Sequence, residues 1–563
     1  MNTEVLVIGA GPTGLMLANQ LARRHVHVTV IDQHAGPSIQ TKALGVQART
    51  LEIYSRLGIA ERAVELGRRA AGATLWSGGK RVARVPLGDI GADLSPYPFL
   101  LILGQDVNEA LLGDALGEQD VHVQWNSRLV DLVQAPDAVT AKIARQDGSV
   151  EEITARWVAG CDGARSTVRE ACGIPFSGAP YPHVFYVADT RATGSMAPDE
   201  LNIYLWRGGF HLFFPLPGKD HWRVVGILPA ELRSVEGLTF DAVAPFVCRE
   251  VGGADPGAAT GTDTGTDTGV SGAGPHLAFQ DCNWFSTYQV HHRRAARFRD
   301  RRCFLLGDAA HIHSPVGAQG MNTGLQDAYN LAWKLALVQS GNAGEDLLGS
   351  YEIERVPVAD RLLRTTDQAF GFLISESWFA EAFRTRIVQR VIAMAMRRER
   401  TRRLAFRTIS QTGIRYRNSP LSRMQARLPD EAPRAGDRFP WLQLRLIAGG
   451  PVEDLFAKLD DTRFNLMLFG QPAPASARKH AAEAGGLMTT HVIPADPVND
   501  RALSRAGIPR PSFFLLRPDG HVGLAGSMLD AAALDDYLTG PVQLRKGGDA
   551  ESTGDSAALP AGN

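Results

Sequence analysis

The chain has 563 residues, 44% of them hydrophobic and 21% charged, which indicates a globular protein of roughly three or four domains. Lysine plus arginine total 59 and aspartate plus glutamate 60, so the formal net charge of −1 argues against nucleic-acid binding by the whole chain. The five cysteines have no CxxC spacing, which excludes a zinc ribbon and a dithiol motif.

The first predicted element is a βαβ unit over Thr3–Gln33, TEVLVIGAGPTGLMLANQLARRHVHVTVIDQ, which predicts a parallel sheet. Gly9 would permit a tight turn, Gly11 would let the backbone approach a pyrophosphate, and Gly14 would let the helix pack on the strand. Asp32, at the end of the second strand, is placed to accept a hydrogen bond from a ribose hydroxyl. The unit predicts a dinucleotide site; the alternative is an unrelated glycine turn followed by a surface aspartate.

Two later segments repeat the pattern of an apolar run followed by a glycine-rich turn. ARWVAGCDGARSTVR (Ala155–Arg169) and RCFLLGDAAH (Arg302–His311) are therefore expected to return to the first sheet. Between them, roughly over Phe185–Val290, strand-like runs with Gly/Pro turns predict antiparallel strands. The polar repeat GAATGTDTGTDTG (Gly257–Gly269) is expected to be a mobile loop.

The rest of the chain is predicted to change from helices to a small α/β domain. The helical part runs from Asn330 to about Tyr416, and its arginine cluster MRRERTRR (Met396–Arg403) is interpreted as a solvated helix face. FNLMLFG and PSFFLLRPDGHVGLAG are the clearest strands of a separate domain from Pro440 to about Leu538. The last ~20 residues are expected to be disordered.

Three motifs occur in order: GAGPTG near the N-terminus, CDGARSTVR in the middle, and GDAAHIHSPVGAQGMN later. This order resembles that of the single-component FAD-dependent aromatic hydroxylases, and nearly the whole chain resembles their phenol-type members, which have an extra C-terminal domain. The strings ARTLEIYSRLGI, YPFLLILGQDVNEALL and YEIERVPVA support the resemblance. It implies an α/β fold with a Rossmann-like FAD-binding domain, an inserted antiparallel substrate sheet of the p-hydroxybenzoate hydroxylase type, and a C-terminal thioredoxin-like domain.

The resemblance also implies approximate domain boundaries. The FAD-binding domain is expected from residues 1–75, 100–180 and 281–370, and the substrate-binding sheet from 76–99 and 181–280. A helical connection is expected over 371–435, the thioredoxin-like domain over 436–545, and a disordered tail over 546–563.

The resemblance assigns FAD contacts to the third motif and the helix that follows it. Asp308 would hydrogen-bond the flavin ribityl chain. The helix N-terminus at Gly320, Met321 and Asn322 would face the N1–C2=O edge, where its dipole would stabilise the negative charge of reduced flavin. Pro315 would lie near the flavin face where oxygen reacts, and it is a predicted catalytic residue.

Other FAD contacts are implied for Arg49 in ARTLE and for Gln105 in LGQDVNE. The alternatives are a surface arginine and a polar helix cap. Asp162, in the middle motif, is expected to join strand, turn and arginine through charge-assisted hydrogen bonds. His311 and His313 are interpreted as structural, since the family needs no metal; a zinc-like site would need further ligands from elsewhere.

The antiparallel segment is the expected cover of the flavin and is rich in aromatic side chains, although such a stripe can equally be core. An ungapped match around PLPGKDHWRVV to the phenol-type hydroxylases implies that Tyr204 and Arg223 are catalytic and bind the substrate. A buried guanidinium would favour a phenolate, and a tyrosine could pass its proton. Phe213 and Tyr416 are further candidates for substrate binding; for Tyr204 and Arg223, the alternative is a pair on the sheet surface.

The implied reaction is hydroxylation of a phenol with NADPH or NADH and O2, through a flavin C4a-hydroperoxide; displacement of a halogen or nitro group stays open. One alternative is a hydroxylase of polycyclic or polyketide substrates, and another is a non-catalytic flavin-binding regulator. No second strand–GxGxxG–helix unit is present, so NAD(P)H is expected to dock transiently, which argues against a disulfide reductase.

The expected partners are small molecules rather than nucleic acid or membrane. No cysteine follows Cys303, so the C-terminal domain is expected to serve packing or a homodimer contact and not dithiol chemistry. The start of the chain has no signal-peptide order, and no apolar run reaches the ~18 residues of a membrane span. With the odd cysteine count, this favours a reducing, cytoplasmic location.

Overall fold

The structure is a computed structural model, and it describes residues 2–38, 43–88, 90–206, 209–252, 277–313, 319–374, 398–474 and 486–545, without the side chains of 369–374. Some predicted features lie outside the described residues. These are Pro315, the Gly257–Gly269 repeat, the tail 546–563 and part of the helical connection.

The first sheet is parallel at its centre, as the βαβ unit predicts. β1 (Asn2–Ile8) pairs in parallel with β2 (Val28–Ile31) on one side and β11 (Val150–Gly160) on the other, and β18 (Cys303–Leu305) pairs in parallel with β11. Both later motifs therefore return to this sheet, which confirms that expectation. Its central strands are rich in buried Val, Ile and Leu, as is usual for a parallel sheet that is buried on both faces. The sheet also contains β8 (Val123–Gln124), β9 (Arg128–Gln134), β10 (Val139–Ala144) and β17 (Arg299–Asp300).

Helices pack around the first sheet. They are α1 (Pro12–Ala22), α2 (Ala48–Arg56), α3 (Ala60–Leu66), α4 (Gln105–Gly117), α5 (Thr167–Ala171), α7 (Gly320–Gln339) and α8 (Gly349–Ile374). Three of them, α1, α5 and α7, begin within the three motifs. A small sheet of β3 (Gly45–Val46), β7 (Leu100–Ile102) and β4 (Arg68–Ala70) lies beside them.

The second sheet is largely antiparallel and is built on two long strands, β12 (Phe176–Thr193) and β16 (Ala278–Ala295). Helix α6 (Phe240–Val251) covers one of its faces and ends at Gly252, whose φ of +90° is left-handed. The other strands are β5 (Gly72–Ser77), β6 (Lys80–Pro86), β13 (Glu200–Trp206), β14 (Gly209–Pro215), β15 (His221–Ile227) and β19 (His311–Ile312).

The thioredoxin-like domain has a five-stranded mixed sheet with its own apolar core. Its strands, in spatial order, are β20 (Arg423–Met424), β26 (Val522–Gly526), β25 (Ser512–Leu516), β23 (Phe464–Phe469) and β24 (Met488–Ile493). The remaining elements are α9 (Glu399–Ile409), β21 (Gln443–Arg445), β22 (Val452–Asp454), α10 (Leu455–Lys458), α11 (Pro497–Ala506) and α12 (Ala531–Thr539).

The long strands of the second sheet cross the boundaries expected from the sequence. The sheet takes up strands that begin at Gly72 and Phe176, and β16 continues to Ala295. Its strands therefore extend beyond 76–99 and 181–280, because single long strands run across the predicted boundaries between the FAD-binding part and the substrate sheet. The domain boundaries themselves stay predictions. In the described part of the chain, no helix has the length and apolar character needed to cross a membrane.

Candidate active site

The glycine turn before α1 is packed so tightly that two of its glycines have no room for a side chain. Gly9 has a φ of +102°, and a Cβ there would come closer than 3.0 Å to the Cys161 carbonyl. A Cβ on Gly14 would come equally close to the Gly9 carbonyl, whereas one on Gly11 would meet no atom within 4 Å. Gly11 therefore borders open space at the α1 N-terminus, where the helix dipole favours a phosphate.

The third motif packs against the same turn through Thr13. Gly307 has a φ of +57°, and a Cβ on either Gly307 or Gly324 would come closer than 3.0 Å to the Thr13 hydroxyl. The turn that carries Asp308 and the first part of α7 are thus held against the start of α1. The absence of a side chain at Gly307 and Gly324 leaves room for the Thr13 side chain, which brings the first and third motifs together.

Asp32 also belongs to this turn. Its Oδ2 accepts a hydrogen bond from the Ala10 amide at 2.7 Å, and its Oδ1 accepts one from the His34 amide at 2.8 Å. The carboxylate therefore fixes the glycine turn, and it remains partly accessible, with 12% of its side chain exposed. Its predicted ribose contact stays a prediction.

Gln105 is the first residue of α4, and its Nε2 donates to Glu109 Oε1 at 2.7 Å. The second oxygen of Glu109 accepts a hydrogen bond from the Ser38 amide at 3.1 Å. Burial raises the pKa of Glu109, and the nearby charge of Asp32 adds to this effect. Sequence reasoning missed Glu109, which positions the side chain of Gln105 in the same region as Asp32.

Asp162, in the middle motif, differs in part from the expected arrangement. Its Oδ2 accepts a hydrogen bond from the Val168 amide at 3.1 Å, and burial raises the pKa of this carboxyl. Arg169 instead donates to the carbonyl oxygens of Ala164 and Ala309, each at 3.0 Å. The arginine thus joins the middle and third motifs through backbone carbonyls, while Asp162 holds the start of α5.

Asp308 is exposed within an otherwise buried strand and turn, so its carboxylate is accessible to a ligand. Asp327, which sequence reasoning missed, holds that turn in place. Its carboxylate accepts from the Gly307 amide at 3.1 Å, from His311 Nε2 at 2.8 Å and from Arg355 Nε at 2.6 Å. Burial opposes ionisation of Asp327, yet Arg355 and His311 keep its pKa below the usual range. A carboxylate within the apolar string GLQDAYNLAWKLALV was the signal available.

Helix α7 begins at Gly320, and among the described residues no side chain caps its first amides. Asn322 is fully buried, and its Oδ1 accepts hydrogen bonds from the Gln47 amide at 2.9 Å and the Thr50 hydroxyl at 2.7 Å. Met321 is partly buried. The Asn322 side chain therefore joins α7 to α2, which leaves a backbone contact as its predicted role toward the flavin.

Arg49 and Tyr416 point toward the C-terminal domain. Arg49 donates to the Asp519 carbonyl at 2.6 Å and pairs with Glu52 at 3.0 Å. The buried Tyr416 hydroxyl accepts a hydrogen bond from Arg355 at 2.8 Å. These contacts favour structural roles for both residues.

The second sheet separates the two residues that the sequence placed together. Tyr204 and Phe213 belong to the apolar cluster under α6, and so do Trp222 and Val224 of β15. Because side chains alternate along a strand, Arg223, between Trp222 and Val224, points to the opposite face. Tyr204 and Arg223 therefore lie on different faces of the sheet, which argues against contact of both with one phenol; their predicted roles stay predictions.

Each of the two residues is also engaged in its own setting. Arg223 pairs with Asp189 through two hydrogen bonds, one of them 2.5 Å from Nε, and its guanidinium lies 5.3 Å from the centroid of the Trp284 ring. Its positive charge is already compensated. Tyr204 stacks on Trp76 with 5.5 Å between ring centroids, and burial raises the pKa of its hydroxyl.

The residues around the glycine turn fit an FAD molecule. Open space lies where a Cβ on Gly11 would project, and the buried Oδ1 of Asp162 has no hydrogen-bond partner. The exposed Asp308 and the uncapped start of α7 lie on segments held to this turn. A pyrophosphate would be bound by amides at Gly11, and a polyhydroxyl chain would suit Asp308.

The site contains histidine and carboxylate side chains but shows no arrangement for a metal. Within the described ranges, no group of three or more His, Cys, Asp or Glu side chains could hold a metal ion. His311 is buried and directs its Nε2 to Asp327. The expectation that the protein needs no metal stays a prediction.

Comparison with known proteins gives matches along most of the chain. A family model described as an FAD binding domain matches residues 2–366. The 6-methylpretetramide 4-monooxygenase of Streptomyces rimosus is 32% identical over 99% of this chain and 97% of its own length. The pentachlorophenol 4-monooxygenase of Sphingobium chlorophenolicum is 30% identical over 92% of this chain and 86% of its own length.

A solved structure matches the fold over nearly the same extent. The ternary complex of aklavinone-11 hydroxylase with FAD and aklavinone has a TM-score of 0.76 and 25% sequence identity, and it covers 96% of this chain and 99% of its own. The similarity includes the second sheet and the C-terminal domain as well as the glycine turn.

Proposed function

The chain belongs to the FAD-binding family of aromatic-compound monooxygenases, and from this premise we propose that it hydroxylates a polycyclic phenolic substrate with O2 and NAD(P)H. The observation that carries the proposal is the 32% identity to 6-methylpretetramide 4-monooxygenase over 99% of the chain. A similarity of that extent includes the sheet expected to cover the substrate. As a family member the chain is an enzyme, not a flavin-binding regulator.

The setting of Arg223 supports a large substrate over a single-ring phenolate. A phenolate would need an uncompensated positive charge, but Asp189 already pairs with this guanidinium. A polycyclic substrate can be held mainly by apolar contact with a few hydrogen bonds. The same sheet face carries Tyr288 and Phe214, the latter packed against the small sheet of the FAD-binding domain.

In this proposal the protein binds and orients, and FAD when bound supplies the redox chemistry that activates oxygen. The backbone at Gly11 holds the pyrophosphate, Asp308 holds the ribityl chain, and the start of α7 stabilises negative charge on the flavin. Asp327 keeps the Asp308 turn in position through the Gly307 amide. The second sheet excludes water from the reacting ring.

The test is activity profiling of the purified holoenzyme on matched phenols of one ring and of four fused rings. NAD(P)H consumption and product mass are measured together, so that uncoupled oxidation is distinguished from hydroxylation. We expect product formation with the four-ring phenols and only slow, uncoupled oxidation with the one-ring set. Efficient hydroxylation of the one-ring phenols alone would contradict the proposal.

A second candidate function is hydroxylation of a single-ring phenol, with or without displacement of a halogen or nitro group. The 30% identity to pentachlorophenol 4-monooxygenase over 92% of the chain favours it. In the profiling experiment, this candidate predicts release of halide or nitrite in proportion to the NAD(P)H consumed.

A further inference from the structure

A groove of about 890 Å³ lies between α9, the segment that follows it, and α11 of the thioredoxin-like domain. Its volume is in the range of pockets that take small organic ligands. Eight arginines and four carboxylates line it, so the lining carries an excess of positive charge. Neither the glycine turn nor Asp308 nor the second sheet contributes a residue to it.

Part of this arginine set is neutralised by carboxylates. Arg417 pairs with Asp437 at 2.7 Å, Arg415 reaches the same carboxylate at 3.6 Å, and Arg434 pairs with Asp430 at 2.7 Å. Two more arginines pair with carboxylates outside the lining. They are Arg403 with Glu399 and Arg438 with Glu52.

Three arginines of the lining have no such partner. In the described part of the chain, no carboxylate lies within 4.0 Å of the guanidinium of Arg407, Arg501 or Arg505. Arg501 and Arg505 are four residues apart on α11 and therefore share one helix face, where like charges repel. A bound anion would relieve that repulsion.

The field inside the groove is correspondingly positive. Burial lowers the pKa of Arg407, and the guanidiniums of Arg415, Arg403 and Arg438 lower it further. All four of these arginines line the groove. A cluster of like charges in a groove makes the groove a candidate ligand site.

The uncharged part of the lining suits an aromatic ring. Trp441 and the apolar side chains of Leu94, Leu442, Val452 and Val498 line the same groove. Arginine, the cation present here, binds phosphate groups in a bidentate way and stacks on flat rings. A ligand with several phosphates and one heteroaromatic base would use both parts of the lining.

We propose that this groove binds an adenine nucleotide that carries two or more phosphate groups. One source is the NADPH of the proposed reaction, and this assignment rests on the proposed function; the other is a free nucleotide such as ADP. Position favours NADPH, since Thr412 lines the groove and the adjacent Gln411 donates to Thr323 Oγ1 at 2.9 Å, at the start of α7.

The first experiment measures binding without catalysis. Adenosine 2′,5′-bisphosphate is titrated calorimetrically into the holoenzyme at low salt, in wild type and in the double variant Arg501→Ala/Arg505→Ala. We expect the double variant to weaken binding on the order of tenfold or more, because charge-assisted contacts to phosphate are lost. Arg407→Ala, on the opposite wall, should weaken it in the same direction.

Arg402→Ala is the matched control, since Arg402 is an exposed arginine of α9 that does not line the groove. We expect it to bind the bisphosphate as wild type does. No saturable binding to wild type, or equal affinity in wild type and the double variant, would overturn the proposal.

The second experiment separates the two sources of nucleotide. Anaerobic flavin reduction is followed over a range of NADPH concentrations. If the groove serves the co-substrate, the half-saturating NADPH concentration rises on the order of tenfold in the double variant while the limiting reduction rate is retained. If bisphosphate and ADP binding weaken but flavin reduction is unchanged, the nucleotide site is supported and its assignment to NADPH is overturned.

These readouts keep the groove separate from the proposed function. A holoenzyme that hydroxylates none of the phenols would contradict the proposed function, and calorimetry would still test the groove. A holoenzyme that hydroxylates four-ring phenols, with bisphosphate affinity unchanged by the arginine substitutions, would retain the proposed function and overturn the inference.

Discussion

Two regions of the molecule join distant segments of the chain by different means. One is the turn around Gly9, Gly14 and Gly307, and the other is the junction around Glu354 and Arg517. In the turn, Gly9 and Gly14 pack against backbone carbonyls with no room for a side chain, and Gly307 leaves room only for that of Thr13. In the junction, Glu354 of α8 accepts hydrogen bonds from Arg517 at 2.5 and 3.0 Å, and both side chains are 0% exposed. The turn depends on positions without a side chain, whereas the junction depends on charged side chains.

The two regions differ in the energetic cost of a substitution. A buried ion pair contributes little over well-packed apolar residues, but a single charge left behind is costly. Glu354 also contacts Lys334 at 2.8 Å, and Arg517 pairs with Asp519. Loss of one member therefore leaves other charges buried and uncompensated. In the turn, an added methyl group displaces backbone but exposes no charge.

The largest expected effect is in the junction. Arg517→Ala should lower the free energy of unfolding by about 3–5 kcal/mol, because Glu354 and Asp519 would lose a buried partner. Urea unfolding followed by circular dichroism measures it. The control is the exposed Arg402→Ala, expected within about 0.5 kcal/mol of wild type. A loss below about 1 kcal/mol for Arg517→Ala would mean that water or a rearranged side chain replaces the arginine.

The decrease in the free energy of unfolding at acid pH should also depend on the junction. Burial opposes ionisation of Glu354, but Arg517 and Lys334 lower its pKa to about 2. Because the unfolded carboxyl titrates at its ordinary, higher pKa, the unfolded state binds more protons between these values. Stability is therefore lost as pH falls from about 4.5 toward 2, by up to about 3 kcal/mol from this group.

The measurement is the free energy of unfolding from pH 6 to pH 3 in wild type and in Glu354→Gln. The variant should be less stable at pH 6 and should lose less stability over the range, since its side chain no longer titrates. If the free energy of unfolding falls equally with pH in the two proteins, Glu354 does not contribute to the loss of stability at acid pH.

A smaller loss of stability is expected in the turn, and it should differ between Gly14 and Gly11. Gly14→Ala should cost about 1–3 kcal/mol of stability even without FAD, because its methyl group would overlap the Gly9 carbonyl. Gly11→Ala should leave the FAD-free protein almost unchanged, since its methyl group enters open space, and should weaken FAD binding instead. Thermal unfolding of the FAD-free variants and FAD titration measure the two effects. Equal stability of both variants would contradict the close packing.

The smallest expected effect concerns Asp308, which is exposed and so contributes little to the fold. Asp308→Ala should weaken FAD binding by about 1–2 kcal/mol, the size of one or two hydrogen bonds to a hydroxyl chain, and leave thermal stability of the FAD-free protein unchanged. Fluorescence titration of FAD measures this. Activity of wild type should be unaffected by chelators; loss of activity that zinc or iron restores would contradict the metal-free assignment.

The turn could be predicted from the sequence because its physical cause is local. Gly9, Gly11 and Gly14 follow one strand and precede one helix, and this order alone indicates close backbone packing. The parallel pairing of β1, β2, β11 and β18 follows from the same pattern. The three-domain fold came from the resemblance of the motif set.

The junction and the sheet faces could not be predicted in the same way. Arg49 finds its acceptor at Asp519, which is 470 positions further along the chain, so no local pattern marks the pair. Tyr204 and Arg223 are on different strands, and the register of β13, β14 and β15 decides which face each one occupies. Spacing in the sequence does not determine that register.

The ionic junction has an evolutionary consequence for the C-terminal domain. That domain contains no cysteine and cannot carry out dithiol chemistry, so it could be considered dispensable. Yet its Arg517 neutralises Glu354, and its Asp519 carbonyl receives Arg49. A truncated gene would encode a chain in which Glu354 keeps Lys334 and Arg49 keeps Glu52, but both lose their partners in the C-terminal domain. Deletion of the appended domain in one step would therefore remove stabilising partners from the rest of the chain.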